Sequence, residues 1–167
     1  MTKNIRKIIT NNNNLNPNAK MVDIVSIKMV REKSKIYENR EIRSPLDIYE
    51  LLKDTLEDAD REMLIAVCLN NNYEPTNIST ISIGSLAEAT VHPREVFKVA
   101  ILSNSQYLVL THNHPSGSIA PSEHDRNITR RLAKAGEILG IELFDHIIIS
   151  HKAYYSLRDL EPHLFEE

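Results

Sequence analysis

The sequence predicts an α/β protein, a mixed β-sheet with helices packed on both faces. Apolar runs of strand length alternate with segments of helical period, and capping residues or prolines stand where the helices should start. Its 167 residues, 41% hydrophobic and 26% charged, suit one domain with a real core and not a disordered or collagen-like chain. Alternating elements of this kind need helices on both sides to cover apolar strands.

The elements follow in order. Thr10 to Asn18 (TNNNNLNPN) is Asn-rich and interrupted by a proline, so residues 1–20 are expected to be a flexible, basic lead-in. Folded structure is expected from Met21, giving a domain over residues 21–167. Val22 to Val30 (VDIVSIKMV) predicts a strand from its Val and Ile content, with Arg31 to Arg43 as a charged connection. Ser44-Pro45 places a capping hydroxyl before a proline suited to a first helical turn. Leu46, Tyr49, Leu52 and Leu56 follow at helical spacing, which predicts a helix to about Asp60. Met63 to Leu69 (MLIAVCL) is continuously apolar, and after an Asn70-Asn71-Asn72 turn Thr76 to Ile83 alternates, so the pair predicts a hairpin. His92-Pro93 opens a helix to about Leu102, and Tyr107 to Thr111 is a strand. A long helix over Ser122 to Leu139 and a strand over Ile141 to Ile149 complete the pattern.

Charge and cysteine content narrow the function classes. The formal charge is -3, which makes no global case for nucleic acid. Divided at Ser44, however, residues 1–43 carry 10 basic and 4 acidic residues, whereas the remainder carries 10 and 19. A DNA contact through the basic arm is therefore the alternative to a solvated tail. Cys68 is the only cysteine, which excludes an intrachain disulfide or thiolate metal cluster and suits a reducing compartment. No apolar run approaches the roughly 20 residues that span a bilayer, and the first residues lack a secretory signal pattern. The expectation is a cytoplasmic protein with no membrane partner.

The chemistry is concentrated in Thr111 to Asp125, THNHPSGSIAPSEHD. His112 and His114 stand two apart at a strand end, where alternate side chains share a face, so both imidazoles can meet one ion. Pro115, Gly117 and Pro121 force an irregular loop, after which Ser122 can cap the next helix with Asp125 in its first turn. Two imidazoles and a carboxylate make a three-ligand set for a catalytic zinc with one position open to water. Hydrolysis of an amide would then need one further acid or base. Ser122-x-x-Asp125 is also a capping box in its own right, so it is the combination with H-x-H that points to a metal. A nucleobase deaminase is excluded because a single cysteine cannot provide P-C-x-x-C. Dinucleotide and P-loop sites fail for want of their glycine patterns.

At these residues the sequence resembles the JAB/MPN metalloprotease superfamily, whose JAMM motif reads H-x-H-x10-D after an upstream Glu, and within it the RadC-like branch. VHPREVFKVAILSN, AGEILGIELFDHIIIS and VDIVSIKMVREKS read like that branch as well, so the resemblance runs from about Met21 to Leu160 and is to the catalytic domain alone. It implies the JAB three-layer sandwich, akin to cytidine deaminases, and Zn2+ held by His112, His114 and Asp125. It also implies an oxyanion hydrogen bond from Ser122 and hydrolysis of a peptide or isopeptide-like amide, with a peptide or protein conjugate as substrate. The upstream Glu is matched by Glu62, in front of MLIAVCL, with Glu74 in reserve. The branch's association with DNA repair is the second implication.

Four other residues are weighed and set aside as ligands. His92 suits a helix cap, His124 a solvated helix face, and Cys68 a small buried hydrophobe. His146 suits either a satisfied core histidine or a partner behind the metal ligands.

Overall fold

A computed structural model of the chain describes residues 20, 22–38, 40–84 and 91–166. Most of the expected lead-in, including Thr10 to Asn18, lies outside the described residues. The elements are α1 (Pro45–Leu56), β1 (Met63–Leu69), β2 (Pro75–Ile83), α2 (Pro93–Leu102), β3 (Tyr107–Asn113), α3 (Glu123–Leu139), β4 (Glu142–Ser150), β5 (Ala153–Ser156) and α4 (Leu157–Leu160), followed by a short 3-10 turn, Pro162–Leu164. The described residues form a five-stranded mixed sheet of order β2-β1-β3-β4-β5. Only β3 and β4 run parallel; the other neighbours are antiparallel. A parallel pair needs a crossover, which α3 supplies.

Helices cover both faces, as predicted. α1 lays Ile48, Leu51, Leu52 and Leu56 over Ile65, Val67, Val109 and Ile147. On the opposite face Val96 and Phe97 of α2 and Ile128 and Leu132 of α3 pack on Leu64, Ala66, Leu108, Leu110 and Leu143. Burial on both faces explains why β1 reads as an unbroken apolar run rather than an alternation. Cys68 is fully buried in the second cluster, which fits its reading as a small hydrophobe.

α3 meets the sheet closely at Gly136. A Cβ there would collide with the Ile141 carbonyl oxygen and stand 3.2 Å from Phe97 Cζ. Alanine would ordinarily favour a helix over glycine by about 1 kcal/mol. Here overpacking should win, and Gly136→Ala is expected to lower stability by about 1–3 kcal/mol, read as an earlier urea midpoint with unchanged slope.

Two expectations need correction. Val22 to Val30 is not a strand: the segment has no ladder partner among the described residues and is exposed throughout, Ile24 to 99%. Strand-forming composition makes a strand only where an edge pairs with it. Among the described residues the first fully buried in the core is Ile42, whose amide donates to the Tyr73 carbonyl at 2.9 Å. The chain also adds β5, α4 and the closing turn, which periodicity did not mark.

Asp145 ties these last elements together. Its Oδ1 accepts from the His146 and Arg158 amides at 2.7 and 3.0 Å, and its Oδ2 from the Ser156 hydroxyl at 2.7 Å. Burial raises its pKa to about 6 despite these donors. The folded protein therefore keeps a proton that the unfolded chain, with a carboxyl near 3.9, has lost. That stabilisation is complete below about pH 4 and disappears as pH rises through about 6. Asparagine can accept the two amides and donate to Ser156. Unfolding at pH 4 and pH 7 should show Asp145→Asn gaining on the wild type by up to about 3 kcal/mol at the higher pH. An unchanged difference would count against a buried, protonatable Asp145.

Candidate metal centre

The site lies where β3 ends and α3 begins. His112 is in the last turn of the β3 ladder, on the α3 face of the sheet and fully buried, and His114 follows just past the strand, with 16% of its side chain exposed. The loop from Pro115 to Pro121 returns the chain to α3. Ser122 caps that helix: its hydroxyl accepts from the Asp125 amide at 3.2 Å, while the Asp125 carboxylate accepts from the Ser122 amide. The capping box thus fixes the carboxylate that the sequence proposes as a ligand, and turns it back over the strand end.

Three ligand-type side chains converge. His112 Nε2 is 3.0 Å from His114 Nε2 and 3.3 Å from Asp125 Oδ1, and His114 Nε2 is 3.7 Å from Asp125 Oδ2. Donors on a tetrahedral zinc at 2.0–2.1 Å would stand about 3.3 Å apart, so these separations bracket the expected value. His114 Nδ1 lies 2.9 Å from the Ser118 carbonyl oxygen, which can only accept, so Nδ1 carries a proton. In the neutral ring the lone pair is then on Nε2, aimed at the other imidazole. At that distance the two nitrogens must share either a proton or a metal ion.

The local electrostatics agree. Burial opposes ionisation of Asp125, yet the His114 and His112 imidazoles beside it and the Ser122 donors hold its carboxyl well below the usual range. His114 is raised, chiefly by the Asp125 carboxylate 3.7 Å away. Burial pushes His112 well below its ordinary value, which favours a neutral imidazole of the kind that binds metals.

Glu62 reaches the same place from β1. Antiparallel pairing sets Leu64 against His112, so two steps back along the register bring Glu62 to the end of β3. A carboxylate oxygen of Glu62 and a ring nitrogen of each of His112 and His114 lie within 4.8 Å of one another. Asn113, the middle residue of H-x-H, holds this arrangement. Its Oδ1 accepts from the Met63 amide at 2.8 Å and its Nδ2 donates to the Arg61 carbonyl at 3.0 Å, bracketing Glu62 in the chain. Sequence reasoning missed Asn113, although an amide next to the histidines and facing the other side of the strand was a usable signal. The Gly84 amide donates to the Glu62 carbonyl at 2.8 Å and secures the backbone from the other side.

The reserve candidate is overturned. Glu74 belongs to the hairpin turn at the opposite end of β1, about 26 Å from Glu62 by the strand rise, where it accepts from Asn70 and pairs with Arg40. His92 Nδ1 caps α2 by accepting from the Arg94 amide, and His124 is exposed, so neither joins the site. His146 is 99% buried, with Nε2 2.9 Å from His112 Nδ1 and Nδ1 2.7 Å from the Thr129 hydroxyl. Ser122 Oγ donates to Asp125 Oδ2 at 2.6 Å, so its proton is directed at the carboxylate.

Part of the basic arm is already engaged within the chain. Lys35 pairs with Asp54, Arg40 with Glu74 and Arg43 with Glu41, whereas Lys20, Lys28, Arg31 and Lys33 are exposed. Lys3, Arg6 and Lys7 lie outside the described residues. No helix among the described residues is long and apolar enough to cross a membrane.

Known proteins give this geometry a context. A UPF0758 protein of Rubrobacter xylanophilus is 46% identical over 118 residues, covering 71% of this chain and 52% of that protein. A UPF0758 protein of Alkaliphilus metalliredigens is 48% identical over 118 residues (71% and 51%), and one of Clostridium novyi 40% over 144 (84% and 63%). The chain spans about half the length of most of these curated relatives. The RadC-like JAB domain family model matches residues 42–162, beginning where the chain enters its core and taking in every converging side chain described above. By fold, by the residues at the end of β3 and by that match, the chain belongs to the RadC-like JAB domain family.

Proposed function

We propose that this protein is a zinc-dependent hydrolase of the JAMM type, acting on a peptide or isopeptide-like amide in the reducing cytoplasm. One observation carries the reading: two imidazole nitrogens and a carboxylate converge at 3.0–3.7 Å, a spacing that fits the ligands of a tetrahedral zinc. His112, His114 and Asp125 would hold it. Zinc bound there supplies Lewis-acid chemistry, polarising a carbonyl and lowering the pKa of water to about 7.

The protein's own residues do the rest. His112 and Asp125 are buried while His114 and Glu62 are partly exposed, so substrate approaches from the Glu62 side. Glu62 takes a proton from the attacking water and returns it to the leaving amine nitrogen, which lets a neutral amine depart. Ser122 acts in two positions. Bonded to Asp125 it orients the carboxylate, and rotated away it donates to the oxyanion, leaving Asp125 its bond from the Ser122 amide.

Elemental analysis of protein purified without chelator tests the centre. The expected result is close to one zinc per wild-type chain and none in His114→Ala. Folded wild-type protein that stays metal-free with zinc supplied would overturn the proposal.

A further inference from the structure

Behind the metal-facing histidine lies a buried chain of hydrogen bonds with a direction. Thr129 Oγ1 on α3 is 2.7 Å from the Asp125 carbonyl oxygen and 2.7 Å from His146 Nδ1; His146 Nε2 on β4 is 2.9 Å from His112 Nδ1 on β3. Thr129 and His112 are fully buried and His146 is 1% exposed, so no solvent offers other partners. A hydroxyl has one proton and a carbonyl oxygen has none. Thr129 must therefore donate to Asp125, since otherwise two oxygens would face each other at 2.7 Å without a proton. Its oxygen then accepts from His146 Nδ1–H. His146 is 1% exposed and bonds to no carboxylate, so a second ring proton would be a buried charge without a contacting counterion; its Nε2 therefore holds a lone pair and can only accept. His112 must supply that proton from Nδ1.

We infer that Thr129 and His146 are positioning residues that fix His112 in its Nδ1–H form, leaving the Nε2 lone pair free toward the metal. The origin of the chain is the backbone of Asp125, which makes one ligand residue set the tautomer of another through two side chains that never touch the ion. The inference rests on the metal centre proposed above for its consequence, but the tautomer itself exists in metal-free protein. His114 also donates from Nδ1, to the Ser118 carbonyl, so the two Nε2 atoms face each other at 3.0 Å, where without metal a proton on His114 Nε2 joins them. The side chains bonded to His146 are Thr129 from α3 and His112 from β3, both uncharged partners; the Asp125 carboxylate acts on it through space without touching it, and burial outweighs that attraction.

Imidazole nitrogen NMR on chelator-treated full-length protein, followed by titration with Zn2+ against a competing chelator, tests this. Metal-free wild type should show Nδ1–H and an unprotonated Nε2 on both His112 and His146. Thr129→Val keeps the side-chain shape and removes the fixed acceptor, so His146 and with it His112 should become tautomer mixtures, and zinc affinity should fall about 10-fold. His146→Leu removes the acceptor outright and should cost nearer 100-fold, the upper end for partners behind a ligand histidine. Thr129→Ser retains the hydroxyl and should keep both the wild-type tautomers and the affinity. Nε2–H on His112 in the wild type, or wild-type tautomers in Thr129→Val, would overturn the relay. Wild-type protein with the expected tautomers but no zinc uptake would retire the metal centre and leave the relay standing.

Discussion

Glu62→Gln is expected to keep its zinc and lose amide hydrolysis by about 10²–10⁴-fold in kcat, the usual contribution of a positioned acid/base group. The substitution preserves size and hydrogen bonding at the start of β1. The backbone on either side is held independently by Asn113 and Gly84, so the site should keep its shape. What glutamine cannot do is take the proton of the attacking water. Metal content and turnover of the same sample separate the possible roles. Unimpaired turnover would remove Glu62 as the base. Loss of zinc together with activity would make Glu62 a ligand, which its position within 4.8 Å of both histidine nitrogens makes a specific alternative.

The second large effect is expected at Asp125. Asp125→Ala should abolish stoichiometric zinc, a loss greater than the roughly 100-fold caused by disturbing a group behind a ligand. Zinc at 100 times its dissociation constant should stabilise the wild type by about 2.7 kcal/mol and leave this variant unmoved, which thermal unfolding with and without zinc will show. Asp125 is also the third residue of a capping box, so alanine should cost the apo protein about 1 kcal/mol regardless of metal. Asp125→Asn retains most of the cap and lacks the charge, and should lose zinc with a smaller apo penalty. A zinc-dependent stabilisation equal to wild type in both variants would show that the ion is held elsewhere.

The two roles of Asp125 show why local pattern reading reached the site at all. A helix N-cap, an adjacent strand end and a short irregular loop are decided by nearby residues, and His112, His114, Ser122 and Asp125 fall within 14 consecutive positions. Glu62 was found only through a family resemblance, because its approach depends on the pairing of β1 with β3, some 50 residues apart in sequence. The same pairing separates Glu62 from Glu74, two carboxylates flanking one apolar strand that only the direction of the ladder distinguishes. Asn113 and Thr129 stayed hidden for the same reason, since each bonds across elements and its residue type is ordinary in isolation, and the sequence left His146 open between a core histidine and a partner behind the ligands.

The sequence by itself determined the α/β class, the hairpin, the crossover helix and the ligand-bearing turn, since these follow from apolar period, capping and turn chemistry acting over short distances. Its composition also marked Val22 to Val30 as strand-like, but local preference cannot supply the partner edge that a strand needs, and the segment lies exposed. Tertiary structure decided which carboxylate faces the histidines, and which buried groups stand behind them. Those outcomes depend on strand register and on how closely α3 packs against β4, where a one-residue slip would turn every side chain to the other face.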